Sequence, residues 1–169
     1  RKEINPLYKA NRKSTRKPIC FGPLLEFIKE EFNHVILDRL EADDTMGILA
    51  TQEPDRYLIV SDDKDMVTIP DARIWKDGAI LHITPEEAYE NFITQALKGD
   101  PTDGYYGCKG IGEVTARKII DKHRGTPESL WEGVVKAYKG DAEDALLNAR
   151  MARILTSELY DDAPILWNP

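Results

Sequence analysis

Cysteine is scarce in this sequence. There are two in 169 residues, Cys20 and Cys108, with no second Cys or His at ligand spacing around either. That excludes a disulfide scaffold and a Cys/His zinc site, and it favours a reducing compartment. His34, His82 and His123 stand in unrelated segments without a Ser or Cys partner, so nothing supports a nucleophilic triad. Apolar runs such as Tyr57–Val60 are far shorter than the roughly 20 residues that span a bilayer. What is present is ordinary for a folded chain: 41% hydrophobic and 31% charged residues, enough for one domain with a core and too apolar for disorder.

The net charge of −7 is unevenly divided. Residues 1–17 carry seven Lys or Arg against the single acid Glu3, so the remaining body is more acidic than the total suggests. A basic arm on an acidic body is compatible with a nucleic-acid partner, although the acidic total alone would discourage that reading.

Along the chain, the arm lacks apolar periodicity and is expected to be mobile or ordered by a partner. A short amphipathic helix is predicted near Pro23 from Leu24, Leu25, Phe27, Ile28 and Phe32. Val35–Leu37 and Tyr57–Val60 read as strands buried on both faces of a parallel sheet, with a helix of about 41–53 between them. Asp77-Gly78 marks a hairpin between Arg73–Lys76 and Ala79–Ile83. Thr84-Pro-Glu-Glu87 carries the signals of a capped helix start. Further helices are predicted around Ala116–Lys122 and after Thr126-Pro127 and Asp141. The expected architecture is α/β, a parallel-sheet core followed by an all-helical half.

Three acidic groups fall at informative places. Glu41, Asp43 and Asp44 follow the first expected strand, and Asp63 and Asp65 follow the second; Asp62 is set apart by alternation and left out. Asp100 and Asp103 lie at the end of a helix. Ligand sites in open parallel sheets gather beyond the carboxyl ends of strands, and converging carboxylates need cations or protons to coexist. Oxygen donors without His or Cys favour Mg²⁺ or Mn²⁺, and a pair of such ions can drive phosphodiester hydrolysis. The plainer alternative for any one group is solvated acids at a helix N-terminus.

Gly107-Cys-Lys-Gly110-Ile-Gly112, followed by a helical stretch, has the form of a helix–hairpin–helix, whose backbone N–H groups can grip a phosphate beside Lys109, Arg117 and Lys118. The alternative is a plain helix–turn–helix corner. Tyr105 and Tyr106 either stack on a base or pack on the hairpin.

Taken together, Glu41-Ala-Asp-Asp44, Ser61-Asp-Asp-Lys-Asp65, Gly99-Asp-Pro-Thr-Asp103 and Gly110-Ile-Gly112 resemble, in order, the motifs of the 5′→3′ exonuclease and flap endonuclease superfamily. Tyr8-Lys-Ala-Asn-Arg12 is similar to that family's arch, and Met151–Leu155 with Leu166-Trp167 to its bacteriophage branch. The resemblance implies a PIN/flap-nuclease-like fold and a Mg²⁺- or Mn²⁺-dependent 5′→3′ deoxyribonuclease that yields 5′-phosphate products. Glu41, Asp43, Asp44 and Asp63 would surround one metal, and Asp63, Asp65, Asp100 and Asp103 the other. Lys9 and Arg12 would meet the scissile or the adjacent phosphate from the arch. Tyr8, Lys109, Gly110, Ile111, Gly112, Arg117 and Lys118 would contact DNA, with a monovalent cation such as K⁺ at the hairpin.

The implied organisation is an arch at 1–18, a metal-binding core at 19–98 and a helix–hairpin–helix region at 99–169. The expected location is the cytoplasm, of an infected bacterial host if the protein is viral. Family members begin with a strand bearing an acid, so an N-terminal segment or separate chain is expected to complete the fold. The alternative function is a DNA-binding part that is inactive without that segment. A related ribonuclease with the same acidic sheet edge is the third reading, and a comparison of DNA and RNA flaps decides it, because no residue pattern reads a 2′-OH.

Overall fold

A computed structural model describes residues 1–14 and 16–169; Thr15 of the basic arm lies outside them. Six helices carry most of the structure: α1 (Phe21–Glu31), α2 (Ala42–Gln52), α3 (Pro85–Lys98), α4 (Glu113–His123), α5 (Pro127–Ala137) and α6 (Ala142–Ala152). The main sheet has the order β1-β2-β3. In it β1 (Ile59–Val60) pairs parallel with β2 (Arg73–Lys76), and β2 pairs antiparallel with β3 (Ala79–His82). A minimal hairpin, β4 (Tyr160–Asp161) with β5 (Ala163–Pro164), lies near the end of the chain.

Local chemistry accounts for most of these boundaries. Thr84 and Glu87 form a reciprocal capping box at the start of α3, with Pro85 in the first helical turn. Asp77 and Gly78 take φ of 51° and 83°, the two positive values that a two-residue primed turn requires. Thr126 and Asp141 cap α5 and α6 by accepting from Ser129 N and Asp144 N.

Two cores result. The larger joins Phe92, Ile93, Ala96 and Leu97 of α3 to Ala116 and Ile120 of α4, Val134 of α5 and Ala149 of α6. Trp167 closes it edge-on against Phe92 and Trp131, with ring centroids 5.0 and 5.3 Å away. The smaller sets Ala50 of α2 and Ile59 and Ile74 of the sheet against Met66, Ile69, Ala88 and Ile154. Helix α3 contributes to both. None of the described helices is long and apolar enough to cross a membrane.

Two expectations need correction. Val35–Leu37 forms no strand, and Val35 and Ile36 are exposed. A strand of this apolar kind is stable only with a paired edge and covered faces, and among the described residues no strand pairs with it. Thus the strand–helix–strand unit is absent and the sheet is mixed. The basic arm, expected to be mobile or ordered by a partner, has its first part ordered by the body itself: Tyr8 is buried in the larger core and Lys9 N donates to Asp103 O at 2.8 Å.

Between α3 and α4 the backbone doubles back on itself at Gly99 and Gly107. Both have positive φ, 69° and 64°, and a Cβ on either would strike the other's backbone. A Gly107→Ala variant therefore combines a disfavoured conformation with a backbone clash. It is expected to lose about 3 kcal/mol or more, read as a lowered midpoint in denaturant.

Candidate active site

Each acidic group is positioned by a simple local device. Glu41 is extended (φ −84°, ψ 159°) just before α2, so Asp43 and Asp44 fall in that helix's first turn, where negative charge is favoured. Asp63 follows β1 and accepts from Asp65 N at 2.9 Å, capping the 3₁₀ turn 64–68. Asp100 and Asp103 belong to the turn after α3, where Asp100 N donates to Tyr105 O at 2.8 Å.

The arm joins these groups. The Arg1 side chain makes five hydrogen bonds. Its guanidinium grips Asp44 through two nitrogens, at 2.6 and 2.9 Å, and touches Glu41 at 2.9 Å. It also donates to Met151 O and Arg153 O at the end of α6. Asp44 is only 4% exposed and accepts from Leu155 N as well, so its oxygens are committed to protein partners. Burial opposes the charge on Arg1, but the neighbouring Asp44 outweighs it and holds the guanidinium firmly protonated. Lys9, at a left-handed φ of 50°, reaches Glu41 at 2.6 Å and Asp103 at 3.6 Å. Arg12 meets Asp103 at 2.6 Å, and Lys64 meets Asp100 at 2.8 Å.

The cluster therefore has two electrostatic halves. Burial pushes the Glu41 carboxyl up, yet bonds from Lys9 and Tyr8 and the charge of Arg1 bring it below the ordinary range. Asp100 behaves alike, with Lys64 and Thr102 outweighing burial. Asp43, Asp63 and Asp65, by contrast, have no ion pair among the described residues. Burial, reinforced by Asp63, raises the carboxyls of both Asp43 and Asp65, the latter to about 6. Among the described residues no group of three acids, His or Cys is drawn close enough to hold a metal as it stands. Asp63 is exposed, Glu41, Asp43, Asp65, Asp100 and Asp103 are half-buried, and Asp44 is buried. A cavity of about 590 Å³ lined by Tyr89, Arg124, Leu130 and Arg153 contains none of them.

The hairpin is built as expected. Gly110 has φ 84°, Gly112 precedes α4 with no side-chain cap, and Ile111 packs into the larger core, leaving Lys109 and Lys118 exposed. Two of the expected DNA contacts are engaged with the protein itself. Tyr8 is 5% exposed, its ring in the core and its hydroxyl donating to Glu41 at 2.8 Å. Arg117 turns toward α3 and pairs with Glu90 at 3.1 Å. Sequence reasoning also missed three residues. Arg1 carried no local signal. Lys64 was visible only as the cation between Asp63 and Asp65. Gln95, which donates to Asp65 at 2.8 Å, was hidden in the apolar stripe of α3.

No family model matches the chain. It is 34% identical over 211 residues to the exodeoxyribonuclease of Enterobacteria phage T3, covering all of this chain and 70% of that protein. The chain belongs to the 5′→3′ exonuclease and flap endonuclease superfamily. The exonuclease of Escherichia phage T7 is also 34% identical, with the same coverage of both chains. DNA polymerase I of Mycobacterium tuberculosis is 32% identical over 97% of this chain and 20% of its own length.

This superfamily member is a DNA nuclease of the phage and polymerase I kind. Its fold is that of solved flap nucleases. The phage T5 protein co-crystallised with metal ions superposes with a TM-score of 0.57 at 17% identity, over 89% of this chain and 78% of that one. The T5 flap endonuclease in complex with DNA and metal ions gives 0.56, over 87% and 72%.

Proposed function

We propose that this nuclease hydrolyses DNA from free 5′ ends or flaps with two divalent ions, Mg²⁺ or Mn²⁺, and releases 5′-phosphate products. One observation carries the reading: Asp43 and Asp65 flank Asp63, their carboxyls raised by burial and by its charge, and none of the three has an ion pair among the described residues. Their oxygen-only donors fit hard divalent cations. Glu41, Asp43 and Asp63 would hold one ion and Asp63, Asp65, Asp100 and Asp103 the other. Asp44, already committed to Arg1 and Leu155, positions α2 instead. The chemistry such ions supply when bound is an activated water and charge stabilisation for the departing 3′ oxygen.

The chain's own cations do the rest. Lys9 and Arg12 now sit on Glu41 and Asp103, and a phosphate placed there competes with the carboxylates for both. Lys109, Lys118 and the uncapped start of α4 hold the backbone of the DNA away from the acids. The open space at Gly110 and Gly112 suits a monovalent cation such as K⁺. The arm, the acidic core and the helical region at 99–169 thus divide cleavage from grip.

A second reading has its own observation. Helix α1 buries none of its side chains, Ile19, Leu24, Phe27 and Phe32 are exposed, and β1 has a free edge. An N-terminal segment or separate chain that pairs with that edge and covers this face would then be needed for cleavage, and the present chain alone would bind DNA without cutting it.

Cleavage of 5′-flap DNA by this chain, beside a gel shift, tests both. The leading reading expects Mg²⁺-dependent products bearing 5′ phosphate, none in EDTA, and binding that falls with salt at a log–log slope of about −0.9 per phosphate neutralised. Cleavage that persists in EDTA would sink it. Binding without cleavage, with activity restored by an added N-terminal segment of a relative, selects the second reading.

A further inference from the structure

Of the two roles the sequence leaves open for Tyr106, base stacking and packing on the hairpin, the structure favours one. We infer that Tyr106 is a stacking platform for a nucleobase of the bound DNA, set between the acids and the hairpin. The inference rests on the nuclease reading above and adds to it a residue that governs how the strand is held.

Two neighbouring tyrosines have opposite fates. Tyr105 is 5% exposed and packed in the larger core, whereas Tyr106 is 71% exposed. Among the described residues Tyr106 has no hydrogen-bond, ring or cation partner through its side chain. Its backbone, however, is clamped on both sides. Tyr105 exchanges both of its backbone bonds with Asp100, at 2.8 and 3.2 Å. Gly107 N donates to Asn148 Oδ1 at 2.9 Å and Cys108 N to Leu97 O at 2.7 Å. With Tyr105 buried and Gly107 wedged against Gly99, position 106 has no route into the core.

A fixed backbone that presents a free phenol ring to water is a poor arrangement for stability and a good one for binding. Tyrosine has few rotatable bonds, so ordering it on a ligand costs little, and its face offers contact to any base. The position selects the ligand. Tyr106 lies three residues after Asp103 and three before Lys109, which keeps its Cα within about 11 Å of each and thus between the acidic turn and the hairpin along the chain. A sequence-tolerant aromatic contact is what a nuclease that processes any DNA end can use.

The test places 2-aminopurine singly along the unpaired arm and junction of a 5′-flap DNA and measures its fluorescence on binding in EDTA. Wild-type protein is expected to quench one or two adjacent positions. Tyr106→Ala is expected to abolish that quench and to weaken binding by about 5- to 150-fold, with an unchanged melting temperature. Tyr106→Phe and Tyr106→Trp are expected to keep the quench. Retained quench and affinity in Tyr106→Ala overturn the inference, as does a Tyr106→Phe variant that behaves like Tyr106→Ala. If the wild-type chain binds no flap DNA at all, the functional reading itself has failed, and this inference with it.

Discussion

Asp44→Asn is expected to be the most destabilising single carboxylate substitution in the cluster, at about 3–5 kcal/mol, because it leaves the Arg1 guanidinium buried without its counter-charge. Both partners are largely hidden, with side chains 5% and 10% exposed, so solvent screening offers little relief. The geometry is also demanding: two guanidinium nitrogens meet the carboxylate at 2.6 and 2.9 Å, and Leu155 N takes a further contact at 3.0 Å. Asparagine keeps the shape, loses the charge and replaces one acceptor with a donor facing Arg1.

For a domain of this size the loss corresponds to a melting temperature lower by roughly 6–20 °C, in chelator as well as in Mg²⁺. Arg1→Met should cost a comparable amount, and the double variant should fall short of the sum by up to about 3 kcal/mol, since both remove the same pair. Below its melting temperature Asp44→Asn is expected to keep cleavage within about tenfold of wild type. A stable Asp44→Asn protein with no turnover would return Asp44 to the metal ligands and refute its structural role.

The difference between Asp44 and its neighbours could not have been read from the sequence. Glu41, Asp43 and Asp44 form one acidic run, and the partner that separates them, Arg1, lies more than forty residues away with no motif around it. The hairpin and helices were legible because their causes are local: Asp77-Gly78 demands a primed turn, Thr84-Pro-Glu-Glu87 caps a helix, and Gly110-Ile-Gly112 frees the backbone before α4. Val35–Leu37 misled for the converse reason. Its apolar pattern is that of a buried strand, but pattern alone supplies neither a paired edge nor a cover, and the segment stays exposed. The arm misled through composition. Seven cations read as a mobile tail, while the one aromatic among them, Tyr8, anchors it in the core and delivers Lys9 and Arg12 to the acids.

Asp63→Asn is expected to show the opposite pattern: turnover falls by about 10³-fold or more, yet the metal-free protein is no less stable. Burial first and then Asp63 raise the carboxyls of both Asp43 and Asp65, and Lys9 at the one and Lys64 at the other offset this only in part. Neutralising it removes two like-charge contacts, while the asparagine oxygen can still accept from Asp65 N and keep the turn at 64–68 capped. Because Asp63 is exposed, screening limits the relief to at most about 1 kcal/mol, a rise in melting temperature of roughly 1–4 °C in EDTA.

The catalytic loss has a different origin. On the proposed two-ion reading Asp63 would serve both ion positions, and its loss would take with it several kcal/mol of charge stabilisation at the reacting phosphate, which is the stated factor in rate. Wild-type protein should gain melting temperature as Mg²⁺ is added, by mass action on the folded state, and Asp63→Asn should lose most of that gain. DNA affinity in EDTA should be equal or higher in the variant, since one negative charge facing the phosphates is gone. Melting curves with and without Mg²⁺, run beside single-turnover cleavage, separate the two acids. Asp44→Asn weakens the fold and spares the chemistry, whereas Asp63→Asn spares the fold and removes it. An Asp63→Asn enzyme that cleaves at the wild-type rate would overturn the metal assignment at its central residue.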